Sequence, residues 1–139
     1  MDTVMTIPEL ERFLSEVFPQ VCDQFAVEEI TPTGLIMRLK VTDAHLRPGG
    51  TVSGPSMFAL ADVSVYLAIL SRIGPKALAV TTNCSIDFMR KPAARKDLIA
   101  HCTLLKLGKV LAVGDALLFS DGGPAPVARA SLTYSIPPS

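Results

Sequence analysis

Between Arg47 and Arg72 a single side chain carries a formal charge, Asp62, in the middle of the apolar run Met57 to Leu70. Burying a carboxylate there without partners costs several kcal/mol, so the rest of the chain must either match it or use it. The helix dipole cannot compensate it, because Asp62 lies about two turns beyond the start of the run and the dipole effect fades within roughly the first turn. Thr81 or Tyr66 could supply a polar partner, which would make Asp62 a packing residue. The alternative is chemistry. Upstream, the segment DAHLRPGGTVSG is rich in uncommitted backbone amides, and Gly54 stands immediately before Pro55 at a helix start, where free N–H groups can polarise a carbonyl oxygen. A donor at the helix entrance and a carboxylate eight residues on are the two groups that thioester hydrolysis needs: one to polarise the carbonyl, one to activate water or attack. Gly49, Gly50 and Gly54 are also what a plain turn would use.

The remaining reactive side chains offer less. Cys22, Cys84 and Cys102 are odd in number and form no CxxC pair, so neither a disulfide framework nor a zinc knuckle is expected. His45 and His101 lack metal-binding spacing, and no metal or cofactor is expected. Ser56 and Cys84 as nucleophiles have no nearby base and no elbow motif. Arg90, Lys91, Arg95 and Lys96 surround Pro92 and could meet the phosphates of a nucleotide, or simply form a solvated hairpin. Met57, Phe58 and Tyr66 could line an acyl pocket, but their helical spacing is equally that of core residues.

These residues need elements to hold them. Pro8 to Phe18 has the spacing of a short amphipathic helix with Thr6 as its cap. Phe25 to Ile30 and Leu35 to Val41 flank TPTG as a hairpin. A helix from about Pro55 to Ser71, apolar on all sides, is stopped by Gly74 and Pro75. A period-two strand follows, with Val80, Thr82, Cys84, Ile86 and Phe88 alternating against Thr81, Asn83, Ser85, Asp87 and Met89. Further strands fit Asp97 to Leu107, Val110 to Phe119 and Ala125 to Ile136. A helix apolar all round must be covered on several sides, and a curved antiparallel sheet wrapped around it is the economical solution: an α+β fold in one domain over residues 1–139, residues 1–20 being a helix and lead-in.

Lys plus Arg number 13 and Asp plus Glu number 13, which gives no reason to expect nucleic acid or an anionic membrane as partner. A 49% hydrophobic share with 19% charged residues points to apolar surface buried between subunits, hence a homodimer or homotetramer. The N-terminus has no basic region ahead of an apolar stretch, so a cytoplasmic location is expected.

The stretch RPGGTVSGPSMFALAD resembles the phenylacetyl-CoA thioesterase group of the hot-dog-fold thioesterases, and VTTNCSIDFMRKPA looks like that group's strand ending in Phe-Leu-Arg-Pro-Ala. Gly54 matches the first glycine of the group's His-Gly-Gly, and Leu60-Ala61-Asp62 its acidic end. The resemblance implies a hot-dog fold, an acyl-CoA substrate, Asp62 as general base or nucleophile, the Gly54 N–H as oxyanion donor and Thr81 as a holder of water. It further implies that glycine and acid come from different subunits. Ser53 stands in the place of the group's His, Pro55 in that of its second Gly and Arg47 in that of its Asn. Arg47 could bind a carboxylate or phosphate of the ligand. A hot-dog protein that binds an acyl-CoA or acyl-carrier ligand without turning it over is the principal alternative. A hot-dog hydratase is disfavoured because no Asp-to-His spacing resembles that family's signature.

Overall fold

The computed structural model describes residues 2–138. Helix α1 (Ile7–Val17) leads into strands β1 (Phe25–Ile30) and β2 (Gly34–Leu39), then helix α2 (Gly54–Ile73), then strands β3 (Val80–Phe88), β4 (Leu98–Leu107), β5 (Leu111–Ser120) and β6 (Ala128–Ser135). The strands form one sheet in the order β1-β2-β4-β5-β6-β3, antiparallel throughout. The expected curved sheet around one long helix is therefore the architecture found.

Local chemistry accounts for the helix ends. Thr6 Oγ1 accepts from Glu9 N while Glu9 Oε1 accepts from Thr6 N, a reciprocal box that starts α1 one residue earlier than its spacing predicts. Ser53 Oγ accepts from Ser56 N and so caps α2, with Pro55 in the first turn, where its missing N–H costs nothing. At 20 residues α2 is long and apolar enough to cross a membrane by length and composition, but most of it lies inside the fold. Leu60, Val65, Leu67 and Leu70 pack with Leu35, Met37, Leu98, Leu118 and Leu132 of the sheet into the core. Each such side chain contributes roughly 1.5–3 kcal/mol of transfer free energy.

Arg72, the charged residue that ends the apolar run, is itself buried. Its guanidinium donates to Gly34 O at 2.8 Å, to Ser71 Oγ at 2.6 Å and to Thr31 O, tying the last turn of α2 to the β1–β2 turn.

The two sheet edges are treated differently. The β1 edge is met by α1, whose Glu11 Oε2 accepts from Val27 N at 3.0 Å. The β3 edge ends the sheet, and Val80 and Phe88 stand 54% and 52% exposed along it, with Leu78 and Met89 exposed beside them. Between Val80 and Phe88, Thr82, Asn83, Ser85 and Asp87 are exposed, so the edge is open and apolar at its two ends, and an open edge of this length is a surface that proteins ordinarily cover.

Strand β3 also departs from the simple alternation expected of it. Opposite β6, Thr81 pairs with Tyr134 but Asn83 pairs with Thr133, so Thr82 is the extra residue of a bulge. The insertion changes the parity of the strand: Thr81 faces the helix together with Cys84 and Ile86, rather than away from them. Without the bulge Thr81 could not reach Asp62.

Candidate active site

Asp62 sits in the middle of α2, half-buried under the β3–β6 ribbon. Its Oδ1 accepts from Thr81 Oγ1 at 2.6 Å and from Tyr134 OH at 2.6 Å; the same phenol lies 3.0 Å from the Asp62 main-chain oxygen. Oδ2 has no protein partner among the described residues, yet it is not a sealed, unpaired atom, so solvent reaches it. One carboxylate oxygen is anchored and the other is open. An oxygen left open in this way is free to take a proton or to meet a carbon atom, which a closed structural pair is not.

Asp62 opens into a cavity of about 310 Å³ lined by Phe18, Val63, Tyr66, Val80 and Tyr134. The Phe18 ring meets Tyr66 edge-on at 5.9 Å, and Tyr66 lies 6.0 Å from Tyr134, so the wall is aromatic. Tyr66 is not the partner of Asp62, since its hydroxyl donates to Ala77 O at 3.0 Å. Burial, and secondarily the Asp62 charge, push the Tyr134 phenol well above the usual tyrosine range. The same two causes, in the same order, raise the Cys84 thiol.

The second half of the expected site lies at the start of α2. His45 is buried and organises the loop: Nδ1 accepts from Thr42 N at 2.9 Å, Nε2 meets Gln24 Oε1 at 2.9 Å, and its carbonyl accepts from Ser53 N. Gly49 and Gly50, both with positive φ, turn the chain between Arg47 and Thr51. The Gly54 N–H has no hydrogen-bond acceptor among the described residues and is available. The Phe88 ring lies over Gly54 so closely that a Cβ there would stand 3.3 Å from it. Around Gly54 a cavity of about 460 Å³ is lined by Arg47, Met57, Phe88, Arg90 and Lys91.

The structure thus sorts the residues expected from sequence. Asp62, Thr81 and Tyr66 converge on one cavity; Gly54, Met57, Arg47, Arg90 and Lys91 converge on the other. Arg95 and Lys96 are exposed but do not line the Gly54 cavity, and Phe58 lies at the surface outside both. Ser53 is occupied as the cap of α2, donating to Ser56 Oγ at 2.9 Å. Sequence reasoning missed Tyr134 and Phe18. Tyr134 left a signal: it is one of two tyrosines in the chain, and a tyrosine on the inward phase of a strand needs a hydroxyl partner. A larger hollow, about 950 Å³, lies at the other end of α2 between Ile73, Leu107, Val110 and Ile136; it contains no acid and no nucleophile. Among the described residues no group of three ligating side chains could hold a metal ion.

Gly54 and Asp62 are eight residues apart on one helix, hence about 12 Å apart along its axis at 1.5 Å per residue. Within one chain they cannot address one carbonyl.

The family model of the thioesterase superfamily matches residues 49–127, the stretch that holds Gly54, Asp62 and Thr81. The chain belongs to the thioesterase superfamily. Among solved structures, a protein described as a thioesterase from Silicibacter sp. TM1040 is 58% identical, with 99% of this chain and 96% of that one covered and a TM-score of 0.93. A protein of Pseudomonas aeruginosa named as an esterase is 29% identical over 137 residues, 96% of this chain and 100% of that one. A thioesterase-fold protein of Streptococcus pneumoniae, solved with coenzyme A, is 18% identical with a TM-score of 0.74 over 96% of this chain and 98% of that one, and shares the fold. This superfamily member carries thioesterase chemistry on the hot-dog architecture derived above.

Proposed function

We propose that this thioesterase hydrolyses an acyl-CoA ester at a site built by two copies of the chain, with Asp62 of one copy facing the Gly54 N–H of the other. The observation that carries the reading is the divided carboxylate of Asp62: Oδ1 held by two hydroxyls, Oδ2 open to solvent.

In the general-base form, Oδ2 takes a proton from water as the water oxygen bonds to the thioester carbon. The carbonyl electron pair moves onto oxygen, where the Gly54 N–H stabilises it. The C–S bond then breaks, the sulfur leaves with the proton that Asp62 had taken, and the free acid and the carboxylate are restored. Direct attack by Oδ2 would instead form a mixed anhydride that water hydrolyses. Single turnover in ¹⁸O water identifies direct attack where label enters Asp62, which happens when water opens the anhydride at the Asp62 carboxyl carbon; opening at the substrate carbon labels the product acid, as the general-base route does.

Two features support the shared site. The 12 Å separation within one helix is too long for one carbonyl and would be met by a second copy, and the open β3 edge, with Val80 and Phe88 exposed at its two ends, offers the surface on which that copy would pair. Coenzyme A is favoured as the carrier by Arg47, Arg90 and Lys91 around Gly54, three cations suited to phosphates, and by the coenzyme A in the Streptococcus pneumoniae structure. A cytoplasmic location, where coenzyme A esters are made and used, belongs to the same reading.

The test is a turnover screen with short, medium, long and aryl acyl-CoA substrates, each paired with its pantetheine thioester. Thiol release from the coenzyme A esters, with a raised KM for the phosphate-free partners, is expected. Tight binding with no thiol release would establish the non-catalytic alternative.

A further inference from the structure

We infer that Tyr134 is a positioning residue for the reaction, fixing the Asp62 carboxylate so that Oδ2 alone faces the substrate. The inference rests on the catalytic reading of Asp62 and adds to it a residue from the last strand, outside the residues 49–127 that define the family match.

The geometry is specific. Tyr134 pairs with Thr81 across the β6–β3 ladder at the position just before the bulge, so the two hydroxyls arrive side by side on one carboxylate oxygen. Each hydroxyl has one proton; that of Thr81 goes to Oδ1 and that of Tyr134 lies between Oδ1 and the Asp62 main-chain oxygen, nearer Oδ1, which leaves Oδ2 without a protein donor. The phenol is also 3.0 Å from the Asp62 main-chain oxygen, so a single group bridges the side chain and backbone of one residue and thereby fixes its torsion. Thr81 alone, half-buried on an edge strand beside a bulge, would hold the acid loosely. Tyr134 is buried on the neighbouring inner strand, packed against the Tyr66 ring.

The titratable groups around the acid are Tyr134 from β6, Cys84 from β3 and Tyr66 on α2 itself. Burial raises all three above their ordinary values, so each is neutral near pH 7. Tyr134 therefore remains a donor wherever Asp62 can act.

The experiment is a set of four full-length variants, Tyr134→Phe, Thr81→Ala, the double variant and Asp62→Asn, assayed with an acyl-CoA that the wild type hydrolyses. Tyr134→Phe keeps the ring and removes one donor. Its kcat is expected to fall about 10–100-fold, the range for a hydrogen bond to a charged group, with KM changed less than about threefold. The double variant is expected to lose more than the product of the single losses, because either donor alone still restrains Oδ1. A structural tyrosine would instead lower the melting point with kcat unchanged, and that result overturns the inference while Asp62→Asn remains inactive. Should Asp62→Asn retain full activity, the catalytic reading itself fails, and this inference fails with it. If Tyr134→Phe does not fold, 3-fluorotyrosine at position 134 preserves shape and alters donor strength; a change in kcat alone supports the role, and unchanged kcat overturns it.

Discussion

Replacing Asp62 by Asn and by Ala should give the same loss of activity and different losses of stability, because the two substitutions treat the anchored oxygen differently. In Asp62→Asn the amide oxygen can take the place of Oδ1 and still accept from Thr81 and Tyr134, while the amide nitrogen falls at the open Oδ2 position, where solvent meets it. Two charge-assisted hydrogen bonds become neutral ones, a change of about 1 kcal/mol each, and relief of the half-buried charge opposes that change. The net effect should stay within about 2 kcal/mol, a shift of several degrees at most for a chain of this size. Asp62→Ala removes the acceptor altogether. Thr81 Oγ1 loses its acceptor, at a cost of about 1–3 kcal/mol, while Tyr134 OH keeps the main-chain oxygen at 3.0 Å. Turnover should fall in both by about two to four orders of magnitude, or about 2.7–5.5 kcal/mol of transition-state stabilisation. Thiol release from an acyl-CoA and scanning calorimetry on the same preparations provide the readouts. Wild-type turnover in a folded Asp62→Asn protein would refute the reasoning.

Deleting Thr82 removes the bulge and leaves Thr81 two places from Cys84 on a regular strand, still opposite Tyr134 and facing the acid; a folded protein with kcat within about threefold of wild type is expected, whereas a fall of about 10–100-fold would show that the Thr81 contact depends on more than the phase of the strand. Arg90→Ala with Lys91→Ala should raise KM and flatten its dependence on salt with kcat preserved, while Arg95→Ala with Lys96→Ala should leave KM unchanged; kinetics between about 50 and 500 mM salt test this. Val80→Glu on the open β3 edge should shift the sedimentation coefficient from dimer or larger to monomer and abolish turnover together. Burial pushes the Cys102 thiol from 9.0 to about 12, so the unfolded chain releases this proton at lower pH than the folded one. Its stabilising contribution is complete below about pH 9 and is lost as pH rises toward 12, and Cys102→Ala should reduce the steepness of alkaline unfolding.

Much of the fold was legible because its signals are local or periodic. The all-round apolar α2 demanded cover on several sides, and the strands from β3 onward announced themselves by alternation and turn residues. The bulge at Thr82 was not legible: a period-two pattern with one inserted residue still reads as continuous, and only the pairing with β6 reveals the change of phase. In the site, Asp62 was conspicuous as the one charge in an apolar run. Its partner Tyr134 lies 72 residues away, and no sequence rule joins a mid-helix acid to a particular phenol on the last strand. The cation cluster divided for a related reason. Arg90 and Lys91 follow β3 directly into the Gly54 cavity, whereas Arg95 lies in the turn at Ala94–Arg95 and Lys96 follows it, and composition alone could not separate them.

Subunit complementation tests most directly whether Asp62 of one copy works with Gly54 of another. Asp62→Asn removes the acid, and Gly54→Pro removes the N–H at a helix position where proline's fixed φ is suited. Each variant alone should be inactive. Unfolded together in equal amounts and refolded, they should form mixed dimers in about half the population, each with one intact site, and recover about one quarter of wild-type activity. A folded, dimeric mixture that remains as inactive as its parents would contradict the shared site.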